Sequence, residues 1–195
     1  MLELLRTIYL FAVALVLAVL EIQIEGRYGW ASRLPTWRPP ANSLVTRIFA
    51  RLMGGKQATG YHLVMFSFVL MLFHWPYLYG WPWTINNWFR TWSLFFSFVV
   101  VWDFLWFVCN PAYPLKYFQR EVVKWHKHWW GRVPLDYLVG LLISWLFIVP
   151  LLFLNYSWEP LGWWLIVNSE LILLTWLTVM ITLFILHLNK TLNNN

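Results

Sequence analysis

The sequence predicts an all-α, polytopic membrane protein: one integral membrane domain of five transmembrane helices, with amphipathic interfacial helices in its inner loops. Three observations predict it. The 195-residue chain is 61% hydrophobic and only 11% charged, whereas soluble domains carry roughly 25% charged residues. Five apolar runs each approach the about 20 residues that a helix needs to cross a hydrocarbon core of about 30 Å. Seventeen Trp and nine Tyr suit a chain with two lipid–water boundaries, where amphipathic rings are favoured.

The runs are 4–24, 61–79, 88–109, 137–154 and 161–188. The last is long enough to tilt or to project beyond the bilayer. None shows the short alternation of a membrane barrel. The first is not read as a cleaved signal peptide, because Glu21, Gln23 and Glu25 stand where a small-residue cleavage site belongs. The single Cys109 excludes an intrachain disulfide and a multi-Cys zinc site.

The net charge of +6 is best read by its placement. The first long loop holds Arg27, Arg33, Arg38, Arg47, Arg51 and Lys56; the third holds Lys116, Arg120, Lys124, Lys127 and Arg132. The other loops are nearly free of basic residues. Positive loops stay cytoplasmic, so the N-terminus is expected outside and the C-terminus inside a bacterial or archaeal plasma membrane. The basic residues then face anionic headgroups rather than nucleic acid. In the first inner loop, "NSLVTRIFARLMGG" opens with a cap at Asn42 or Ser43 and stops at Gly54-Gly55. Its apolar residues share one half of the wheel, opposite Arg47 and Arg51, as in an interfacial helix. "LKYFQREVVKWHKHWW" reads the same way, with Lys116, Arg120, Lys124 and Lys127 on one face and Phe118, Val122, Trp125 and Trp129 on the other.

The inner ends collect the polar residues. Glu21 and Glu25 lie about 40° apart on one helix face, in line with Ala14 and Ala18. Small residues allow a neighbouring helix close, so the acids are expected to point into the bundle, and Gly26 can end the helix. The topology brings His62, Asp103, Asn110, His126, His128 and His187 toward the same end; Asp103 lies roughly 9 Å deep. Ionisable groups inside a membrane are functional candidates by default. Clustered carboxylates repel unless protons or cations intervene, and a divalent metal meets that need. Carboxylate with imidazole suits Zn, Fe or Mn. The expected ligands are Glu21 or Glu25, Asp103 and His126, with His62 as a fourth; a metal with an open position activates water or polarises an oxygen. If the third loop is helical, His126 and His128 point about 160° apart and His128 can pair with Glu121; if it is extended, they share one side.

Purely structural roles compete with this reading. Asp103 could neutralise Arg27, Arg38 or Arg132, Glu25 could brace the turn at Gly26, and His62 could make one hydrogen bond. A second pair, His74 and Glu170, could match in depth near the outer side, as an interhelical lock or a proton relay. His62 and His187 together make bis-histidine haem ligation conceivable. No Walker loop, GxGxxG or GxSxG elbow is present.

The phrases "EIQIEGRYGWASRLPTWR", "WDFLWFVCNPAYPLKYF" and "KWHKHWW" resemble a group of small, uncharacterised microbial integral membrane proteins with an EGxxGWAxxLPTW-like signature. That resemblance implies no activity. A looser, architectural likeness is to the tryptophan-rich translocator/sensory proteins, through five helices, many Trp and "TWRPP"; it implies binding of porphyrins or sterols. The residues themselves lead to an expected cytoplasmic-side site of Glu21, Glu25, Asp103 and His126. It would be a metal-dependent hydrolase or oxidoreductase acting on a lipid-like substrate from the inner leaflet, with a carboxylate as ligand or general base. The alternative is a tryptophan-rich binding, sensor or transport protein without catalysis.

Overall fold

A computed structural model describes residues 2–113 and 115–193; the side chains of Leu52 and of residues 187–193, and with them the expected role of His187, lie outside the described residues. The helices are α1 (Leu2–Glu25), α2 (Leu44–Leu52), α3 (Gly60–Leu78), α4 (Ile85–Cys109), α5 (Leu135–Leu154) and α6 (Glu159–Asn193). All but α2 are long and apolar enough to cross a membrane. These five helices coincide with the expected apolar runs, with ends moved by a few residues.

The start and stop chemistry is local. Ser43, Thr59 and Thr84 accept from backbone N–H groups three residues on, capping α2, α3 and α4. Gly26, at φ +61°, closes α1, as a left-handed residue after a helix does. The amphipathic α2 forms as its pattern predicts, with Phe49 buried and Leu44, Val45 and Ile48 exposed.

Helix α4 is the hub, packed against α1, α3, α5 and α6. Half of its most apolar stretch is buried, against 11% for α3 and 6% for α6. The peripheral helices thus present most of their apolar surface outward, where hydrocarbon rather than water is the fitting solvent. Ala14 and Ala18 of α1 are fully buried, in one cluster with Phe98, Trp102 and Leu105 of α4. The expected small-residue stripe is therefore an interhelical contact. At mid-span, Ser144 of α5 joins Ser93 and Ser97 of α4 at 3.0 and 2.8 Å. The Trp164 indole of α6 donates to Ser144 at 2.8 Å, and Asn168 bonds Ser97 at 2.8 Å. Such polar ties between helices are worth about 0.6–2 kcal/mol each in a membrane.

The third loop corrects the expectation of a second amphipathic helix. It holds a short 3-10 turn (Leu115–Tyr117), irregular turns, and a hairpin of β1 (Trp129–Trp130) and β2 (Val133–Pro134), in which Trp130 pairs with Val133. Gly131, at φ +59°, supplies the left-handed position that a two-residue hairpin loop requires. Valines and aromatics are modest helix formers, and here their burial decides. Val123 is fully buried, in a cluster with Trp106 and Phe107 at the end of α4; Phe118, Trp125 and Trp129 pack against it. Trp125 stacks on Phe107 with ring centroids 5.9 Å apart. A Cβ on Gly29 would stand 2.6 Å from the Trp125 ring. Gly29→Ala is therefore expected to lower stability by about 1–3 kcal/mol, the usual cost of overpacking, read as a lower thermal midpoint in detergent with unchanged helical content.

Candidate functional site

The C-terminal ends of α1 and α4 meet the N-terminal ends of α3 and α5, and the polar side chains there form two adjoining groups. The first joins Glu21 and Glu25 of α1 to His62 of α3. His62 Nε2 lies 3.8 Å from Glu21 and 3.7 Å from Glu25. All three residues are buried, and one ligand atom from each falls within 4.8 Å of the others. His62 Nδ1 is 2.7 Å from Thr59 Oγ1, so the hydroxyl that caps α3 also orients the ring. The Trp30 indole stacks on the imidazole with centroids 3.9 Å apart.

The loop from α1 to α2 holds that roof in place. Trp30 and Ala31 both adopt positive φ, 54° and 50°, a conformation that costs a non-glycine residue roughly 1–2 kcal/mol. Three bonds hold it: the Ala31 N–H donates to the Glu25 carboxylate, Arg38 donates to the Ala31 carbonyl at 2.5 Å, and the Trp30 indole donates to the Gln57 carbonyl at 2.8 Å. Glu25 thus braces this turn as well as facing His62. Glu21 accepts no hydrogen bond among the described residues.

The second group surrounds Lys56, which is 3% exposed. Its ammonium lies 3.0 Å from Asp136 and 3.5 Å from Asp103. His126 Nδ1 is 2.8 Å from Asp136, and Nε2 is 3.3 Å from Asp103. Tyr137 donates to Asp103 at 2.5 Å. Burial and the Lys56 charge pull the His126 pKa down, but Asp103 and Asp136 outweigh them and raise it above its ordinary 6.5.

The expected ligand set is therefore divided. Glu21, Glu25 and His62 come together as carboxylates with an imidazole. Asp103 and His126 stand beside them but are engaged with Lys56, Asp136 and Tyr137, so Asp103 is neutralised by a lysine and not by Arg27, Arg38 or Arg132. Asn110 fastens the loop instead: its amide donates to the Gly26 carbonyl at 2.8 Å and accepts from Ala112 at 3.0 Å. His126 is buried and His128 exposed, so they share no side, and no ion pair joins His128 to Glu121 among the described residues. Nor does one join His74 to Glu170: His74 Nδ1 faces the Leu70 carbonyl at 2.8 Å, while Glu170 has a buried oxygen without a partner. Trp30, Lys56, Asp136 and Tyr137 were not among the expected site residues. An acid in the first turn of an apolar span, as at Asp136, is the one signal that could have found them.

Two cavities adjoin these groups. The smaller, about 20 Å³, is lined by Glu21, Glu25, His62, Asp103 and Trp106 among others, and has room for a single water or ion. The larger, about 390 Å³, starts at Glu21, Lys56, His62, Asp103 and Asp136 and runs between α3, α4 and α5 along Phe66, Leu70, Phe95, Phe96, Val100 and Ile143. Its size falls within the range of about 300–1,000 Å³ typical of small-molecule sites. In comparisons with family models, curated proteins and solved structures, nothing matches this chain.

Because the folded pKa of His126 is raised, its protonated form stabilises the fold fully below the unfolded value, and that contribution fades as pH rises through the folded one. The wild-type thermal midpoint in detergent should therefore fall as pH climbs above 6.5, and His126→Gln should flatten that slope.

Proposed function

We propose that this protein is a membrane enzyme that uses a divalent metal, held by Glu21, Glu25 and His62, to act on a lipid-like molecule lodged in the adjoining cavity. One observation carries the reading: a buried carboxylate–carboxylate–imidazole triplet adjoins the polar end of a largely apolar chamber, an end that Glu21 and His62 line together with Lys56, Asp103 and Asp136. Lys56 and His126 are occupied by Asp103 and Asp136, which leaves the two glutamates with His62 alone. Two buried acids without a cation of their own are costly, and a divalent ion balances them. Oxygen and nitrogen donors of this kind suit Zn, Fe or Mn, whose bonds of about 2.0–2.2 Å need only a small inward closure of the triplet. Thr59 serves as the outer partner that fixes the imidazole, a role on which metal sites regularly depend.

Such a metal supplies Lewis acidity and an activated water, which fits hydrolysis of a lipid bond, with oxidation as the alternative chemistry of the same donors. Trp30 excludes bulk water from above. Glu21 accepts no hydrogen bond among the described residues, so that with one carboxylate oxygen on the metal its other oxygen would be able to take a proton. The basic loops at this end favour a cytoplasmic-side site with the N-terminus outside, in a bacterial or archaeal plasma membrane, and favour anionic lipid headgroups over nucleic acid as their partners. The size of the chamber also favours a second reading, a tryptophan-rich binding, sensor or transport protein without catalysis, in line with the likeness to the translocator/sensory proteins.

Elemental analysis of gently purified protein separates the two. The enzyme reading expects one metal ion per chain. Glu21→Gln and His62→Ala should each reduce its retention at least tenfold, about the minimum for losing part of a metal site, while His126→Gln retains it. Wild-type protein without stoichiometric metal would leave the chamber as a binding site alone.

A further inference from the structure

The large cavity has a mouth and an unanswered donor. Helices α3 and α5 form its two flanks, yet each packs chiefly on α4, with no extended contact between them. Ser67 of α3 and Val139 of α5 line the cavity and are both exposed. The opposite, polar end is lined by Trp30, by Phe49 of α2 and by Met53 just after that helix. The gap between α3 and α5 points to entry sideways from the bilayer, with these three side chains at the polar end.

Inside, the wall is apolar with two exceptions that nothing in the fold uses, the indole N–H groups of Trp92 and Trp102, and Trp102 is the one beside the polar end. Trp102 is 4% exposed, lines the cavity next to Asp103, and its indole Nε1 has no hydrogen-bond partner among the described residues. A buried, unpaired N–H costs about 1–3 kcal/mol, and buried indoles normally find an acceptor. An oxygen on a bound molecule would meet that need just short of the Glu21/His62 end.

We propose that the cavity is a binding site for a single-chain, oxygen-bearing lipid that enters from the bilayer between α3 and α5. Its chain lies along α4, and an ester, carbonyl or hydroxyl oxygen accepts from Trp102. The volume suits one chain and not a two-chain phospholipid. Trp102, the donor beside the Glu21/His62 end, rather than Trp92 ten residues back along α4, is thereby the residue that separates an oxygenated amphiphile from a plain hydrocarbon. A site built around a donor rejects a ligand that lacks the acceptor, whereas an apolar wall discriminates weakly. The proposal deepens the lipid-like substrate proposed above and does not depend on a metal.

The test uses full-length protein in phosphatidylcholine nanodiscs, with monoolein and octadecene as probes and native mass spectrometry as the readout. Trp102→Phe keeps the ring and removes the N–H. It should weaken monoolein about tenfold and leave octadecene unchanged. Ser67→Trp with Val139→Trp, both at exposed positions, should slow uptake of both probes from vesicles about tenfold while the final occupancy is kept. Equal losses of both probes in Trp102→Phe would reduce Trp102 to packing and overturn its assignment. Uptake unaffected by the double substitution, or accelerated by Phe49→Ala at the polar end, would overturn the sideways route. Elemental analysis of the same samples keeps the two proposals apart. Metal that persists while Trp102→Phe fails to discriminate sinks only the lipid assignment; discrimination without metal sinks only the metal-dependent reading.

Discussion

A single ammonium group ties three parts of the chain together. Lys56 comes from the loop ahead of α3, Asp103 from α4 and Asp136 from the first turn of α5, and their charges meet out of water. Removing one partner from a buried pair of this kind typically costs about 3–5 kcal/mol, because the remaining charge is stranded. The same lysine lies 4.4 Å from the Trp30 ring, so it helps seat the aromatic roof over His62. By using up Asp103 and Asp136, it also determines which acids at this end are left without a lysine. Glu21 and Glu25 are the remainder. The division into a saturated group and an unsaturated one follows from where one cation sits.

Much of the fold could be read from the chain because it rests on strong, short-range signals. Apolar runs of bilayer length, threonine and serine caps, and the glycines after α1 and α2 each act within a few residues. The stripe of Ala14, Ala18, Glu21 and Glu25 was legible for the same reason: helical periodicity puts those residues on one face before any partner is known. The third loop was not. Its alternating basic and aromatic residues satisfy a helical wheel, yet Val123, Trp125 and Trp129 gain more by packing on Phe107 and Trp106. That preference depends on a surface supplied by α4. The turn at Gly131, between Trp130 and Arg132, rests on a left-handed residue that a helical wheel does not weigh.

The site was legible in its residue types and not in its pairings. A chain of mostly apolar residues offers few places for acids and imidazoles, so topology alone gathered them at one end. Which of them touch is set by side-chain reach across helices. The difference between Lys56 as a loop charge that orients the protein and Lys56 as a buried partner of two aspartates cannot be seen along the chain. Trp30 was hidden for another reason. Its position depends on two consecutive left-handed residues that are not glycine, a conformation that sequence rules count as rare.

Thr59 carries a consequence of its own. One hydroxyl both starts a transmembrane helix and steadies an imidazole, with the His62 backbone N–H on one side at 3.2 Å and His62 Nδ1 on the other at 2.7 Å. The start of α3 and the setting of the His62 ring therefore share an atom. The ring cannot swing without loosening the first turn of α3, and the first turn cannot fray without releasing the ring. Whatever docks on Nε2 is felt at the lip of the bilayer, where that helix begins.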